Sequence, residues 1–134
     1  MTNPDAIVAT HAKATGTGLY TLIGTRIYLP DLPTGYDNTQ ACVLVYRRGG
    51  NGESYTNKVI HPSYQIRCYG GSTKISDAEA VALAFYERFN GKHMTQNAAG
   101  RIIHVSVSFP QGAQREPDSG YPVAYLTMEL TTTA

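Results

Sequence analysis

The sequence has no tryptophan, two cysteines, three phenylalanines and few charges. Cys42 and Cys68 are too few for a disulfide framework. Each lies in an apolar segment, where a free thiol behaves as a small buried hydrophobe. A Cys42–Cys68 bridge stays open only if the two fall at neighbouring positions on paired strands. No apolar run approaches the roughly 18 residues that a membrane-spanning helix needs. The segment Met1–Ala14 lacks the basic start and apolar block of a secretory signal, so intracellular synthesis is expected. Charged residues make up 16%, below the roughly 25% usual for soluble domains. Eleven Lys and Arg against ten Asp and Glu leave a net charge of +1. That balance argues against a dedicated nucleic-acid binder, which needs a basic excess. It also leaves little repulsion between copies of the chain.

What the chain does have is length for one domain, residues 1–134, and a core large enough to need no staples. Ten tyrosines and thirteen glycines, with Thr, Ser and Asn, give a wet, weakly charged surface. Such a surface suits contact with other proteins.

The pattern predicts an α+β fold: a single antiparallel or mixed β-sheet, two helices packed on one face, and a long β-hairpin loop. Asn3-Pro4-Asp5 opens a helix with a cap, a proline and an acid, and Gly16 and Gly18 break it. Leu19–Ile23 reads equally as helix or strand, and Thr25–Tyr28 as a short strand. Ala41–Tyr46 is a strand apolar on both faces. Arg47–Lys58 is a turn-rich excursion, and Pro62 marks the start of a strand over Ser63–Tyr69. There Tyr64, Ile66 and Cys68 share one face, and Gln65 and Arg67 the other. Ser76 and Glu79 form a capping box for a helix whose buried stripe is Ala78, Val81, Ala82, Phe85 and Phe89. Asn90-Gly91 stops it. Ile103–Phe109 alternates as a half-buried strand, Gln111–Gly120 is a polar loop, and Val123–Leu130 is the closing strand.

No catalytic motif appears. The histidines His11, His61, His93 and His104 lie on separate elements, and none has the i, i+4 spacing of a helical zinc site. His104, on the polar face of its strand, reads as exposed or locally hydrogen-bonded. The glycine-rich segment from Arg48 lacks the Lys-Ser/Thr of a P-loop. The segment from Gly70 precedes a helix whose first turn Asp77 and Glu79 already complement. No metal or cofactor is expected.

The order of segments resembles the tail-terminator (tail-completion) proteins of long-tailed bacteriophages. The resemblance rests on an N-terminal helix leading into Gly24-Thr25-Arg26-Ile27-Tyr28, and on Val43-Leu44-Val45-Tyr46 with its polar excursion. It rests also on Tyr64–Tyr69 followed by an Ala-rich helix ending Phe89-Asn90-Gly91, and on a strand stopped by Pro110 before a closing strand. It implies a small non-enzymatic virion protein, assembled in the host cytoplasm, whose copies form a ring, usually a hexamer. Such a ring caps the tail tube, stops its polymerisation and offers the surface that joins the head. The implied partners are other copies of the chain, the major tail tube protein and the head–tail connector proteins. Genome DNA passes through the lumen without sequence-specific binding, and no membrane is involved.

Within that reading, Arg47, Arg48, Glu53, Tyr55 and Lys58 are expected to meet the tube, and Arg115, Glu116 and Asp118 to face the head. A ring needs two different patches per subunit: a sheet face or edge, and a helix flank or loop. Three rivals stand beside it: another neck protein (head completion or stopper), an enzyme using His104, Asp118 or Glu129, and a generic binding domain.

Overall fold

The computed structural model describes residues 3–54, 59–110 and 112–133, with 49–54 and 133 as backbone alone. In chain order the elements are α1 (Pro4–Ala12), α2 (Gly18–Ile23), β1 (Ile27–Tyr28), β2 (Cys42–Ser54) and β3 (Val59–Tyr69). There follow α3 (Ile75–Phe89), β4 (His93–Asn97), β5 (Gly100–Val107), β6 (Ala113–Arg115) and β7 (Pro122–Thr133). The strands form one seven-stranded sheet in the order β1-β2-β3-β7-β5-β4, with β6 also paired to β7. Only β1–β2 is parallel, so the sheet is mixed and the fold α+β, as the sequence predicts.

Among the described residues three helices, not two, cover one face. The ambiguous Leu19–Ile23 is helical because Thr17 caps it: the Thr17 hydroxyl oxygen accepts from the Tyr20 N–H at 3.1 Å. The capping box at Ser76 and Glu79 does not form. Helix α3 starts two residues earlier, at Ile75, with Lys74 in the cap position and no side-chain cap. Glu79 instead accepts from the Ala113 N–H at 3.2 Å, tying α3 to β6. The expected excursion after Tyr46 is paired strand through Ser54, where register shifts after Arg47 and after Asn51 absorb its glycines. Pro62 lies inside β3, opposite Gly50, rather than at its start. Strands β4 and β6 fall in segments without apolar alternation, and pairing alone defines them.

The main core lies between the helices and the sheet. Ile7, Leu19, Phe85 and Phe89 meet Tyr64, Ile66, Leu126 and Met128 there, all fully buried or nearly so. The stripe of α3 and the alternation of β3 and β7 are those read from the sequence. Cys42 and Cys68 sit on adjacent strands but in different clusters on opposite faces, and both are free thiols. Among the described residues, no helix is long and apolar enough to cross a membrane.

His11 is buried where α1 meets the end of α3. The Arg88 Nη2 donor lies 3.3 Å from the His11 Nδ1. Arginine only donates, so Nδ1 accepts, and Nε2 carries the hydrogen that reaches the Arg88 carbonyl at 3.1 Å. Burial holds the imidazole down at about 4, against its ordinary 6.5, and the positive Arg88 and Lys92 add to this. The unfolded chain therefore takes a proton as pH falls through about 6.5, whereas the folded chain resists until about 4. His11 thus contributes stability that is complete above that window and lost as pH falls through it, up to about 3 kcal/mol. Thermal melts of His11→Gln should lose less stability than the parent between pH 7 and 4. Equal losses in the two proteins would remove His11 as the cause.

Candidate interaction face

Alternation along β2, β3 and β7 sends Leu44 and Tyr46, Arg67 and Tyr69, and Val123 and Tyr125 away from the helices. The register aligns Leu44, Arg67 and Tyr125 in one row across three strands, and Cys42, Tyr69 and Val123 in the next. These residues nucleate a second, smaller core of Cys42, Leu44, Tyr69 and Val123. Tyr28, Tyr36, Tyr46, Tyr121 and Tyr125 pack around it, so with Tyr69 this face gathers six of the ten tyrosines. The tyrosine excess is therefore local, and it marks one surface.

Two loops roof one end of that face. The segment after β1 brings Tyr36 edge-on to Tyr69 and Tyr121, with ring centroids 5.5 and 6.1 Å apart. It is fixed by Asn38, whose Oδ1 accepts from the Tyr36 hydroxyl and the Gly71 N–H, while its Nδ2 donates to the Ser72 carbonyl. The turn before β7 is closed by backbone bonds between Glu116 and Tyr121 and between Gly120 and Glu116, each 2.9 Å.

At the centre stands Arg67. Its guanidinium lies 5.5 Å from the Tyr46 ring centroid and 5.6 Å from that of Tyr125. Glu116 accepts from its Nη1 at 3.3 Å and from the Tyr69 hydroxyl at 3.0 Å. Burial and the Glu116 carboxylate push the Tyr69 phenol well above its ordinary value, so it remains a neutral donor. An arginine held between two rings and a carboxylate is pre-ordered and fully charged. Two clefts flank it and share Tyr125 as their wall. One, about 390 Å³, is bounded by Leu32, Arg67 and Glu116; the other, about 470 Å³, by Gln65, Phe109 and Thr127. Phe109 is 64% exposed at the rim and meets Tyr86 edge-on.

The residues singled out from the sequence divide between the two sides. Arg47 turns to the helix side and pairs with Asp5 at 2.9 Å, where the Tyr64 hydroxyl also donates to Asp5. Arg48 stays exposed and donates to Gln65 at 2.7 Å. Glu53 belongs to β2, but its side chain, and all of Tyr55 and Lys58, lie outside the described residues. Arg115 reaches toward α3, donating to the Thr73 carbonyl at 3.3 Å. Glu116 is the clamp on Arg67, and Asp118 lines the smaller cleft beside it. Alternation along β3 places Arg67 on this face, but its contacts are not legible in the sequence. Its partners Tyr46, Tyr125 and Glu116 come together only through register.

Chemistry of other kinds finds little support among the described residues. No group of three or more His, Cys, Asp or Glu is placed to hold a metal. His104 and Glu129 share a face, but Asp118 precedes β7 and is roughly 20 Å or more along that strand from Glu129. The glycines after β3 serve packing. A Cβ on Gly70 would lie 2.5 Å from the Ala78 backbone nitrogen, so only the bare glycine lets the end of β3 pack this closely on α3.

No protein-family model matches the chain, and no curated protein matches it. The comparison with solved structures gives a clear likeness. The chain shares its fold with a virion protein. The similar chain comes from the structure titled "Virion of native gene transfer agent (GTA) particle". The two align with a TM-score of 0.65 and 17% identity, over 95% of this chain and 92% of that one. The likeness thus spans both chains nearly end to end, as one architecture.

Proposed function

We propose that this chain is a structural subunit of a tailed, phage-like virion, and that it serves there as the tail terminator. One observation carries the reading: the near-complete fold likeness to a chain of a gene transfer agent virion. The order of sequence segments points the same way. In this role copies of the chain form a ring on the end of the tail tube, stop its growth and present the surface that joins the filled head. Genome DNA passes through the lumen, and a net charge of +1 per subunit suits a wall that must not hold it. The work is done by contact, without catalysis or cofactor.

Three surfaces suit the contacts that such a subunit makes with its copies, the tube and the head. The Tyr46–Arg67–Tyr125 face has the residue types that dominate interface energetics, already ordered before docking. Arg48, exposed on β2, is assigned to the tube contact together with Glu53, Tyr55 and Lys58, and Arg47 is tied to α1 through Asp5. Arg115 and Asp118, beside the Glu116 clamp, are the head-facing set.

Because β2 and β3 are paired as far as Ser54 and Val59, deleting Gly49–Gly52 alone would break register. A better test replaces Gly50–Pro62 with Asn-Gly, a two-residue turn that keeps the pairs below it. The trimmed protein should fold and still fail to cap tail tubes viewed by electron microscopy. Capped tubes from the trimmed protein would remove the hairpin from the contact. Parent protein that ignores tube ends but binds filled heads would assign the chain to another neck role.

A further inference from the structure

The register sets His93 on β4 directly opposite His104 on β5. Residues so placed on antiparallel strands project to the same face, with Cβ atoms about 4.5–5.5 Å apart. Both side chains are exposed. The His93 Nδ1 lies 3.3 Å from the Gly91 carbonyl, to which it donates, so Nε2 is its free lone pair. The His104 ring has no hydrogen-bond partner among the described residues. We propose that His93 and His104 form a two-imidazole site for a borderline divalent cation of the Zn²⁺, Ni²⁺ and Cu²⁺ class.

Imidazole nitrogen is the ligand such ions favour, with Cu²⁺ bound tightest of the three. His61 lies in the same transverse row but is separated from His104 by Thr131, whose hydroxyl is 3.1 Å from the His61 Nδ1. Two strand spacings put it about 9–10 Å from the pair, beyond a shared ion. That agrees with the lack of any three-residue ligand group among the described residues. Water therefore completes the coordination, and the site is open, unlike a closed structural zinc site. Its effect is local. Strand β4 is an edge held in the sheet by β5 alone, and a bound ion clips the two together. The fourth histidine, His11, is buried and spent on Arg88.

The test is a calorimetric titration of the full chain with NiCl₂ at pH 7.5. The parent should bind one ion saturably. His93→Ala and His104→Ala should each weaken binding by about tenfold or more, since even an outer-shell partner of a ligand is worth about that much. His61→Ala should bind like the parent. Substoichiometric Cu²⁺ should broaden the ring proton resonances of His93 and His104 before those of His61. Both histidines are exposed, so the variants should melt like the parent in EDTA, whereas the parent alone should gain Tm with Ni²⁺. Lack of saturable binding, single variants that bind like the parent, or His61 broadened first would each overturn the site.

Discussion

Phe85→Ala should destabilise the protein by about 3–5 kcal/mol, the usual cost of emptying a large buried aromatic site. A domain of this size has about 5–15 kcal/mol in total, so the variant should melt on the order of 10–20 °C lower. Phe85 is fully buried in the main core. Its ring stacks on Phe89 one helical turn later, with centroids 4.4 Å apart, and Phe89 in turn meets the edge of His11. The cavity would thus open where α1, α3 and the sheet converge, and few neighbours are free to collapse into it. Leu83, on the same helix but 43% exposed, is the control. Leu83→Ala should change stability by only about 0.5 kcal/mol, as surface substitutions do. Equal melting temperatures for the two variants would contradict this placement of the core.

Gly71→Ala should cost about 2–5 kcal/mol, and for two separable reasons. Gly71 has φ +75°, a left-handed conformation that costs an L-residue about 1–2 kcal/mol. A Cβ there would also lie 2.5 Å from the Ala41 backbone nitrogen and 2.6 Å from the Gln40 carbonyl carbon. Both are main-chain atoms and cannot rotate away, so the crowding adds about 1–3 kcal/mol. Gly35, with φ +79° and open space around its Cβ position, isolates the first effect. Gly35→Ala should therefore be clearly milder, as read by urea denaturation. The Gly71 variant should also lose hydrogen-exchange protection in the loop that Asn38 fastens, since the Gly71 N–H is one of its anchors. Similar losses for both variants would show that the close approach carries no weight.

Much of this fold is legible in the sequence because it follows local periods. The stripe of α3, the alternation of β3 and β7 and the stop at Asn90-Gly91 need no knowledge of partners. What is hidden depends on pairing. Strands β4 and β6 are short and polar, and neighbours alone make them strands. Helix α2 spans only six residues, too short for a period to declare itself. Glu79 has the spacing of a capping box, but the Ala113 N–H offers it a tertiary partner instead. The glycines from Gly49 look like a loop, yet register shifts let them remain in the ladder. The proposed surfaces divide in the same way. The polar face of β3 is readable from alternation, but Arg67 meets Tyr46 and Tyr125 through register, and so does His93 its partner His104. Arg47 and Arg48, adjacent on β2, alternate to opposite faces, where Asp5 pairs with one and Gln65 with the other.

We propose that this chain ends a growing tail tube. The direct measurement is the length distribution of tubes polymerised from purified tail tube protein, with and without the chain, read by electron microscopy. Light scattering on the same samples gives the mass of what is added. The expected result is arrested growth, a ring of added density at one end of each tube, and a mass gain of a few subunits per tube. Tubes that elongate unchanged, with bare ends at every concentration of the chain, would contradict it.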